Sequence, residues 1–448
     1  MVEIIGFRAL RFAPDAIGSY ADVTAPPYDI INDRELRRLW ECHPFNVVRL
    51  ILPAGDLPVE QREEGYRRAA ERLRAWKRQG ILVADARPSL YLYRQRFHLP
   101  DGQPKTRQGF FGLARLTDWG QGICRHELTL PGPVTDRLRL LEACRANLSS
   151  AFGLYSDPQQ EVVGVLAAEA EGRPPEVEVT DDAQVWHGLW PVSNRQAIRV
   201  VGELLRDRPV VIADGHHRYT AALAYRNCQR AACPHAEQPA PWDYVLFYLD
   251  AFEDPGLAIL PTHQVVCGLN GFVPATWLEH LAERWTVHKL PDLGALVQAL
   301  AARDGAPQVA LGVVVAGGHC YLLEVGRPAA REAPEEALDV SVLRRELIAP
   351  LLGQHGAVAD LERHLRYTHS AQEASAWVSG GQADVAFILR ATPLEQVRAV
   401  ALAGRVMPQK STYFYPKLLS GLVFYDHTER NDRACPLAER AISEERTF

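Results

Sequence analysis

The chain has 448 residues, 47% of them hydrophobic, with 49 Lys and Arg against 55 Asp and Glu for a formal net charge of -6. Such a composition supports a buried core and excludes both a disordered chain and a global cationic field that would hold nucleic acid or an anionic membrane. At roughly 150 residues per domain, the length argues for about three domains or one large composite.

In chain order, Ile4–Leu10 reads as a short strand, followed by the extended stretch Ala25-Pro26-Pro27-Tyr28-Asp29-Ile30, where paired prolines exclude helix. Asn32 or Asp33 caps a short helix through Leu39 and Trp40, and Asn46–Leu52, rich in branched residues, reads as a strand. From Val59 to Gln79 the positions Tyr66, Ala69, Ala70, Leu73 and Trp76 recur at helical spacing, with Gly80 at the expected stop. Ser89–Leu99 and Thr106–Leu116 flank Pro100-Asp101-Gly102-Gln103 as a hairpin. Glu169–Pro175 is an acidic, proline-bearing loop or boundary. Val210–Ala213 is a buried strand leading into Asp214-Gly215-His216-His217-Arg218 and a helix from Tyr219 to Arg226, and Tyr244–Leu249 is another strand. Beyond it, helices at Thr276–Trp285, Leu293–Ala302 and Ser341–Ile348 alternate with strands at Val309–Val315, Tyr321–Val325 and Val385–Leu389. This interleaving predicts an α/β (α+β) class with mixed sheets. The expected divisions are an N-terminal subdomain at 1–157, a central segment at 158–270 and a C-terminal subdomain at 271–448.

Apolar runs such as Val210–Ala213 and Leu311–Ala316 fall far below the ~18 residues that span a bilayer. Met1–Arg8 lacks the order of a signal peptide, so a cytoplasmic location is expected. Eight cysteines are scattered without a C-x-x-C pair, which argues against a zinc ribbon or a disulfide framework. The closest two, Cys228 and Cys233, are expected in a polar loop.

Asp214–Arg218 is the segment with the clearest chemistry. A buried strand that turns through Gly215 into a helix gathers free backbone N–H groups and the positive end of the helix dipole, which suits an anion. Arg218 adds a bidentate fork for phosphate, and His216 and His217 add donors whose charge adjusts near neutral pH. A carboxylate beside a phosphate requires a cation between them, so Asp214 implies Mg²⁺ or a protonated histidine as neighbour. The structural alternative makes Asp214 a helix cap, Arg218 a surface charge and the histidines hydrogen-bonded supports.

Met407–Lys417 is the second segment. Lys410-Ser411-Thr412 matches the tail of a Walker A loop, but the glycines that cradle phosphate are missing, so it is not a P-loop. Lys410, Lys417, Ser411, Thr412 and the neighbouring aromatics suit phosphate contact and base stacking, or else the packing of a final strand pair. Asp29, in a rigid turn, is either a base in a cleft or a cap for the next helix. His126-Glu127 has no second histidine at zinc-protease spacing.

Ala25–Asp29, Asn46–Leu50, His126-Glu127, Ala213–Tyr219, Leu260–His263 and Met407–Lys417 together resemble the bacterial and archaeal family called domain of unknown function 1015 (DUF1015), with the matches in order along almost the whole chain. Leu128 and Gln264 stand where that family commonly carries a basic residue. The Asp-Gly-His-His-Arg turn is also similar to the phosphate-contacting motif of the ParB/sulfiredoxin superfamily, which includes kinases that phosphorylate free L-serine with ADP or ATP. The resemblance implies a ParB/sulfiredoxin-like nucleotide-binding core packed with N- and C-terminal subdomains. It implies that Asp214, Gly215, His216, His217 and Arg218 hold phosphates and Mg²⁺, with Asp214 as metal ligand, and that Asp29 or else Glu127 takes the serine proton. Lys410, Ser411, Thr412 and Lys417 would then contact the phosphates, and Tyr28, Asn46, Arg49, Thr262 and His263 the substrate. The expected activity is a magnesium-dependent kinase of serine metabolism using ATP or ADP. The alternatives are a nucleotide-binding regulator without turnover and a metal-dependent hydrolase of phosphate esters or nucleotides. The expected partners are a nucleotide and a small substrate, with a homodimer allowed, and neither nucleic acid nor membrane.

Overall fold

In the computed structural model, which describes residues 1–54, 57–58, 61–328, 333–355 and 361–428, side-chain alternation along the strands builds the principal sheet. Its strands are β1 (Ile4–Ile5), β2 (Leu90–His98), β3 (Pro104–Arg115), β4 (Ile123–Cys124), β5 (Ala151–Tyr155), β6 (Val177–Thr180), β7 (Trp186–Val192), β8 (Val210–Asp214) and β9 (Tyr244–Ala251). The order is β4-β8-β5-β9-β3-β2-β7-β6, with β1 beside β3. β8 is parallel to β4 and β9 to β5, while the other pairs are antiparallel. The sheet is mixed and helices pack on it, so the fold is of the expected α/β class with mixed sheets.

Successive residues of a strand point to opposite faces. Leu90, Leu92, Phe110, Val245, Phe247 and Leu249 therefore share one apolar face. The helices Glu161–Ala170, Arg195–Leu205 and His216–Ala232 cover it with Val162, Leu166, Val201, Leu205, Tyr219 and Ala222. The alternate residues Tyr91, Tyr93, Gln95, Arg107, Phe111, Phe152 and Tyr248 form the other face, and all are buried. Its rings interlock, with centroids 5.1 Å apart for Tyr93 and Phe111, 5.4 Å for Phe111 and Tyr248 and 5.0 Å for Phe152 and Tyr248. This aromatic and polar face leads to Asp214.

Two compact units result. The first comprises Met1–Arg125, Thr129–Leu257 and the chain from Pro416 onward, and the second His126–Leu128 and Ala258–Tyr415. The second has its own antiparallel sheet of β10 (His263–Val266), β11 (Thr286–Leu290), β12 (Gln308–Val315), β13 (His319–Gly326), β14 (Leu365–Thr368) and β15 (Val385–Ile388), in the order β11-β13-β12-β15-β10-β14. It is apolar on both faces, with Val266, Leu311, Val313 and Phe387 on one side and Val265, Ala310, Val314 and Ala386 on the other. The division into 1–157, 158–270 and 271–448 is thus replaced by two discontinuous units. A cut after 157 would part β5 from its partners β8 and β9.

Three local expectations also change. Asn46–Leu52 is not a strand: Val48–Ile51 is a single helical turn, started by the Asn46 side chain accepting from the Val48 N–H at 2.9 Å. Cys228 lies within the helix His216–Ala232 and Cys233 caps it, so neither is in a loop. Glu169 and Ala170 end a helix, and the loop after it lies inside the first unit. Val59, the expected start of a helix observed at Arg62–Arg78, and Cys435 lie outside the described residues. Among the described residues no helix is long and apolar enough to cross a membrane.

Gly109 sits on the aromatic face, where an added Cβ would lie 2.3 Å from the Leu249 carbonyl oxygen and 2.7 Å from Tyr248 Oη. Gly109→Ala is expected to lower stability by about 2–3 kcal/mol, as a fall in the urea midpoint at unchanged m value. Gly164→Ala, with nothing within 4 Å of the new methyl, should hold or raise that midpoint.

Candidate functional site

The site of the first unit starts with a break in strand pairing. β8 pairs Ile212 with Gly153 and Asp214 with Phe152, so a bulge absorbs Ala213. Plain alternation would put Asp214 on the apolar face with Ile212, and the bulge turns it to the face of Phe152 instead. Gly215 follows at φ +90°, where an added Cβ would lie 3.0 Å from Ala151 Cα and 3.0 Å from Arg218 Nε. Only glycine fits such a left-handed turn at this approach. The helix then begins at His216, earlier than the expected Tyr219, so its N-terminus directly follows Asp214-Gly215.

Asp214 is held by two cations. Lys417 Nζ donates to Oδ2 at 2.6 Å and Arg218 Nη2 to Oδ1 at 3.2 Å. All three side chains are largely buried, 16%, 15% and 11% exposed for Asp214, Lys417 and Arg218. Burial alone would raise the Asp214 pKa, but Lys417 and then Arg218 outweigh it and hold the carboxyl well below the usual carboxylate range. Arg218 also donates to the Ser150 carbonyl. His216 is 6% exposed. His217 Nε2 accepts the Leu130 N–H at 3.0 Å and so anchors the start of the helix Pro131–Cys144.

Tyr28 belongs to the same neighbourhood. Its phenol is pushed up to about 12 by burial, opposed by the charges of Arg137 and, more weakly, Arg218. The Arg137 guanidinium lies 3.8 Å from the Tyr28 ring centroid and donates to the Ile51 carbonyl at 2.7 Å. Asp136 takes Arg137 on one oxygen and the Tyr66 hydroxyl, at 2.5 Å, on the other. Asp29, next in the turn, is exposed. Asn46 and Arg49 face backbone: the Asn46 amide donates to Asp22 and Thr24 carbonyls at 2.8 and 3.1 Å, and Arg49 stacks 4.2 Å over Trp40 while donating to that residue's carbonyl.

The second unit brings two other motifs together. His126-Glu127 runs beside Met407, whose N–H donates to the His126 carbonyl at 2.8 Å, and His126 Nε2 lies 3.1 Å from Thr412 Oγ1. Lys410 is exposed and takes φ +59°, a strained conformation for a side chain of its kind. Ser411 donates to the Pro408 carbonyl, and Thr392 donates to the Ser411 carbonyl at 3.0 Å. Thr262 Oγ1 lies 3.5 Å from His369 Nδ1, and His369 stacks on Tyr413 with centroids 3.6 Å apart. His263, 3% exposed, accepts the Leu389 N–H at 3.1 Å.

A metal ion on Asp214 fits poorly. Both carboxylate oxygens already carry a cation, and among the described residues no group of three or more His, Cys, Asp or Glu side chains is placed to hold a metal. Asp214 is therefore not assigned as a metal ligand.

A strand end, a left-handed glycine, a helix start and two cations around one carboxylate meet at one point of this α/β protein. The chain belongs to the family described as proteins of unknown function, DUF1015, whose model matches residues 4–341. Among solved structures it is similar to a conserved hypothetical protein from Pyrococcus furiosus, at 14% identity over 68% of this chain and 90% of that one, with a TM-score of 0.33. A free serine kinase in complex with AMP follows, at 13% identity over 68% and 86%, with a TM-score of 0.33. SbnI from Staphylococcus aureus with a C-terminal truncation matches at 13% identity over 75% and 94%, with a TM-score of 0.34. Likeness at this level transfers no activity. No curated protein matches the chain.

Lys417, Asp214 and Arg218 are legible as candidates in the sequence, whereas Arg137, Asp136, Tyr66, Gln95 and Arg107 carry no motif signal. One consequence of burial is testable in the second unit. Burial, then the charge of His369, lowers the His263 pKa from its ordinary 6.5 to about 4, so the unfolded chain takes a proton more readily than the folded one. The His263 contribution to stability is therefore complete above pH 6.5, falls as the pH drops toward 4 and levels below it. Melting curves across this range should show a loss that His263→Asn lessens by on the order of 2–3 kcal/mol, while His427, also lowered to about 4 by burial, retains its own share.

Proposed function

We propose that this protein is a small-molecule kinase that transfers a phosphoryl group from ATP or ADP to a hydroxyl-bearing metabolite, with free L-serine as the leading acceptor. The carrying observation is the pairing of Asp214 with both Lys417 and Arg218 where β8 turns into the helix His216–Ala232. Two fixed cations and a helix start outweigh one carboxylate, leaving a positive site matched to phosphate oxygens. The choice of serine rests on the resemblance of Asp214–Arg218 to the motif of free serine kinases.

In this reading the serine hydroxyl oxygen attacks the terminal phosphorus of the nucleotide as the bond to the bridging oxygen breaks. The hydroxyl proton passes to Asp29, the exposed carboxylate beside Tyr28, with Glu127 as the alternative base. Lys417 and Arg218 neutralise the charge that spreads over the phosphoryl oxygens, which is the main demand of phosphoryl transfer. A nucleotide sensor is the second reading. It is favoured by the Asp214 ion pairs, which give the carboxylate a structural use without turnover.

Phosphorus NMR of the protein with Mg²⁺, ATP or ADP and a panel of hydroxyl amino acids should show O-phosphoserine. Arg218→Ala should lower kcat/KM by about 10²–10³-fold. Asp29→Asn should abolish turnover while leaving nucleotide binding intact, and Glu127→Gln in the same assay separates the two bases. Tight nucleotide binding with no product across the panel establishes the sensor, and phosphate release that needs no acceptor establishes a hydrolase.

A further inference from the structure

Lys417 reaches Asp214 from a segment that the first unit's sheet grips through its backbone. Arg107, on β3 and 0% exposed, donates from Nη2 to the Pro416 carbonyl at 2.7 Å and from Nε to Gln95 Oε1 at 3.0 Å. Gln95, on β2 and also 0% exposed, uses its other amide atom to donate to the Lys417 carbonyl at 3.1 Å. Two consecutive carbonyls, those of the phosphate-site lysine and of the residue before it, are therefore fixed by two side chains on one sheet face. The same guanidinium lies 5.1 Å from the ring of Phe152, the register partner of Asp214. Arg107 thus touches the backbone that carries the cation and the ring beside the carboxylate it meets.

Complete burial of a guanidinium is costly, and a neutral amide would satisfy one carbonyl at less expense. What arginine adds is a rigid planar fork that reaches Pro416 and Gln95 at once. A lysine there keeps the charge and loses the fork.

We propose that Arg107, acting through Gln95 and the Pro416-Lys417 backbone, is a positioning residue that sets the place of the Lys417 ammonium and hence the affinity of the site for nucleotide phosphate. This rests on the phosphate site assigned above. Side-chain position matters here because Lys417 is a point charge on a flexible stem, and its backbone and Asp214 limit where that charge sits.

The test is calorimetric titration of the full-length protein with ATP and with ADP in the presence of Mg²⁺, for wild type, Arg107→Lys, Lys417→Met and the double variant, each with its circular dichroism compared with wild type. Lys417→Met should weaken nucleotide binding. Arg107→Lys should weaken it by about tenfold, the equivalent of one charge-assisted hydrogen bond. In the double variant the Arg107→Lys substitution should add nothing, because its effect passes through Lys417; a merely structural role would weaken both backgrounds alike. Gln95→Met, which removes the contact to the Lys417 carbonyl together with the acceptor for Arg107 Nε, should show the same dependence on Lys417 and serves if Arg107→Lys does not fold. Unchanged binding in Lys417→Met overturns the phosphate site and the clamp together. Loss in Lys417→Met with wild-type binding in both Arg107→Lys and Gln95→Met, or with additive losses, overturns the clamp alone.

Discussion

The Asp214 carboxylate, largely out of water and bridged by Lys417 and Arg218, is the constraint on which the first unit's architecture depends. A buried carboxylate is tolerable only when fully paired, and removing one partner of such a pair typically costs about 3–5 kcal/mol. The surrounding features serve that pairing. The bulge at Ala213 turns Asp214 to the correct face, Gly215 permits the abrupt entry into the helix, and Arg218 returns one helical turn later to the carboxylate. Lys417 comes from 203 residues away, so the pair also joins the C-terminal segment to the sheet.

The described part of that segment is strapped down at further points. Ser420 exchanges backbone hydrogen bonds with Ala25 at 2.8 and 3.2 Å, and Phe424 with Leu10 at 3.0 Å in both directions. Ala25 directly precedes the Pro26-Pro27-Tyr28-Asp29 turn, so one stretch of chain ties that turn to Lys417. The rigidity of the paired prolines has a physical use here, because Tyr28 must stay under Arg137, near enough to feel the charge of Arg218. The opposite, apolar face of the sheet carries none of these demands and is an ordinary hydrophobic core.

Much of this was legible in the sequence wherever a local signal carried it. Val210–Ala213 followed by Asp214-Gly215 marks a strand end, a turn and a helix start within a few residues, and the structure follows that order. The hairpin and the helix ending before Gly80 were legible for the same reason. The Asn46 segment was misread because its aliphatic run looks like a strand, while a single side-chain hydrogen bond from Asn46 to Val48 commits it to a helical turn. Gln95 and Arg107 were invisible because strands reading Tyr-Arg-Gln-Arg and Thr-Arg-Gln alternate like strands with a wet face. Their burial depends on chain segments more than 300 residues further on. His126–Leu128 belongs to a different unit from its chain neighbours, and nothing in its composition marks that change.

In the proposed kinase, the depressed pKa of Asp214 also fixes how a phosphate would meet this site. The carboxylate stays ionised throughout the physiological range, so a phosphate approaches two cations that already have an anion between them. It has to share Lys417 and Arg218 with Asp214 rather than replace it, since expelling a largely buried carboxylate would leave it unpaired. Sharing favours a ligand with several oxygens and more than one negative charge, because the helix start and both cations can then be engaged at different oxygens. A single small anion lacks that reach. Pre-pairing with Asp214 further means that the cations are already in place when the ligand arrives, and the ordering of two long side chains is settled on folding rather than on binding.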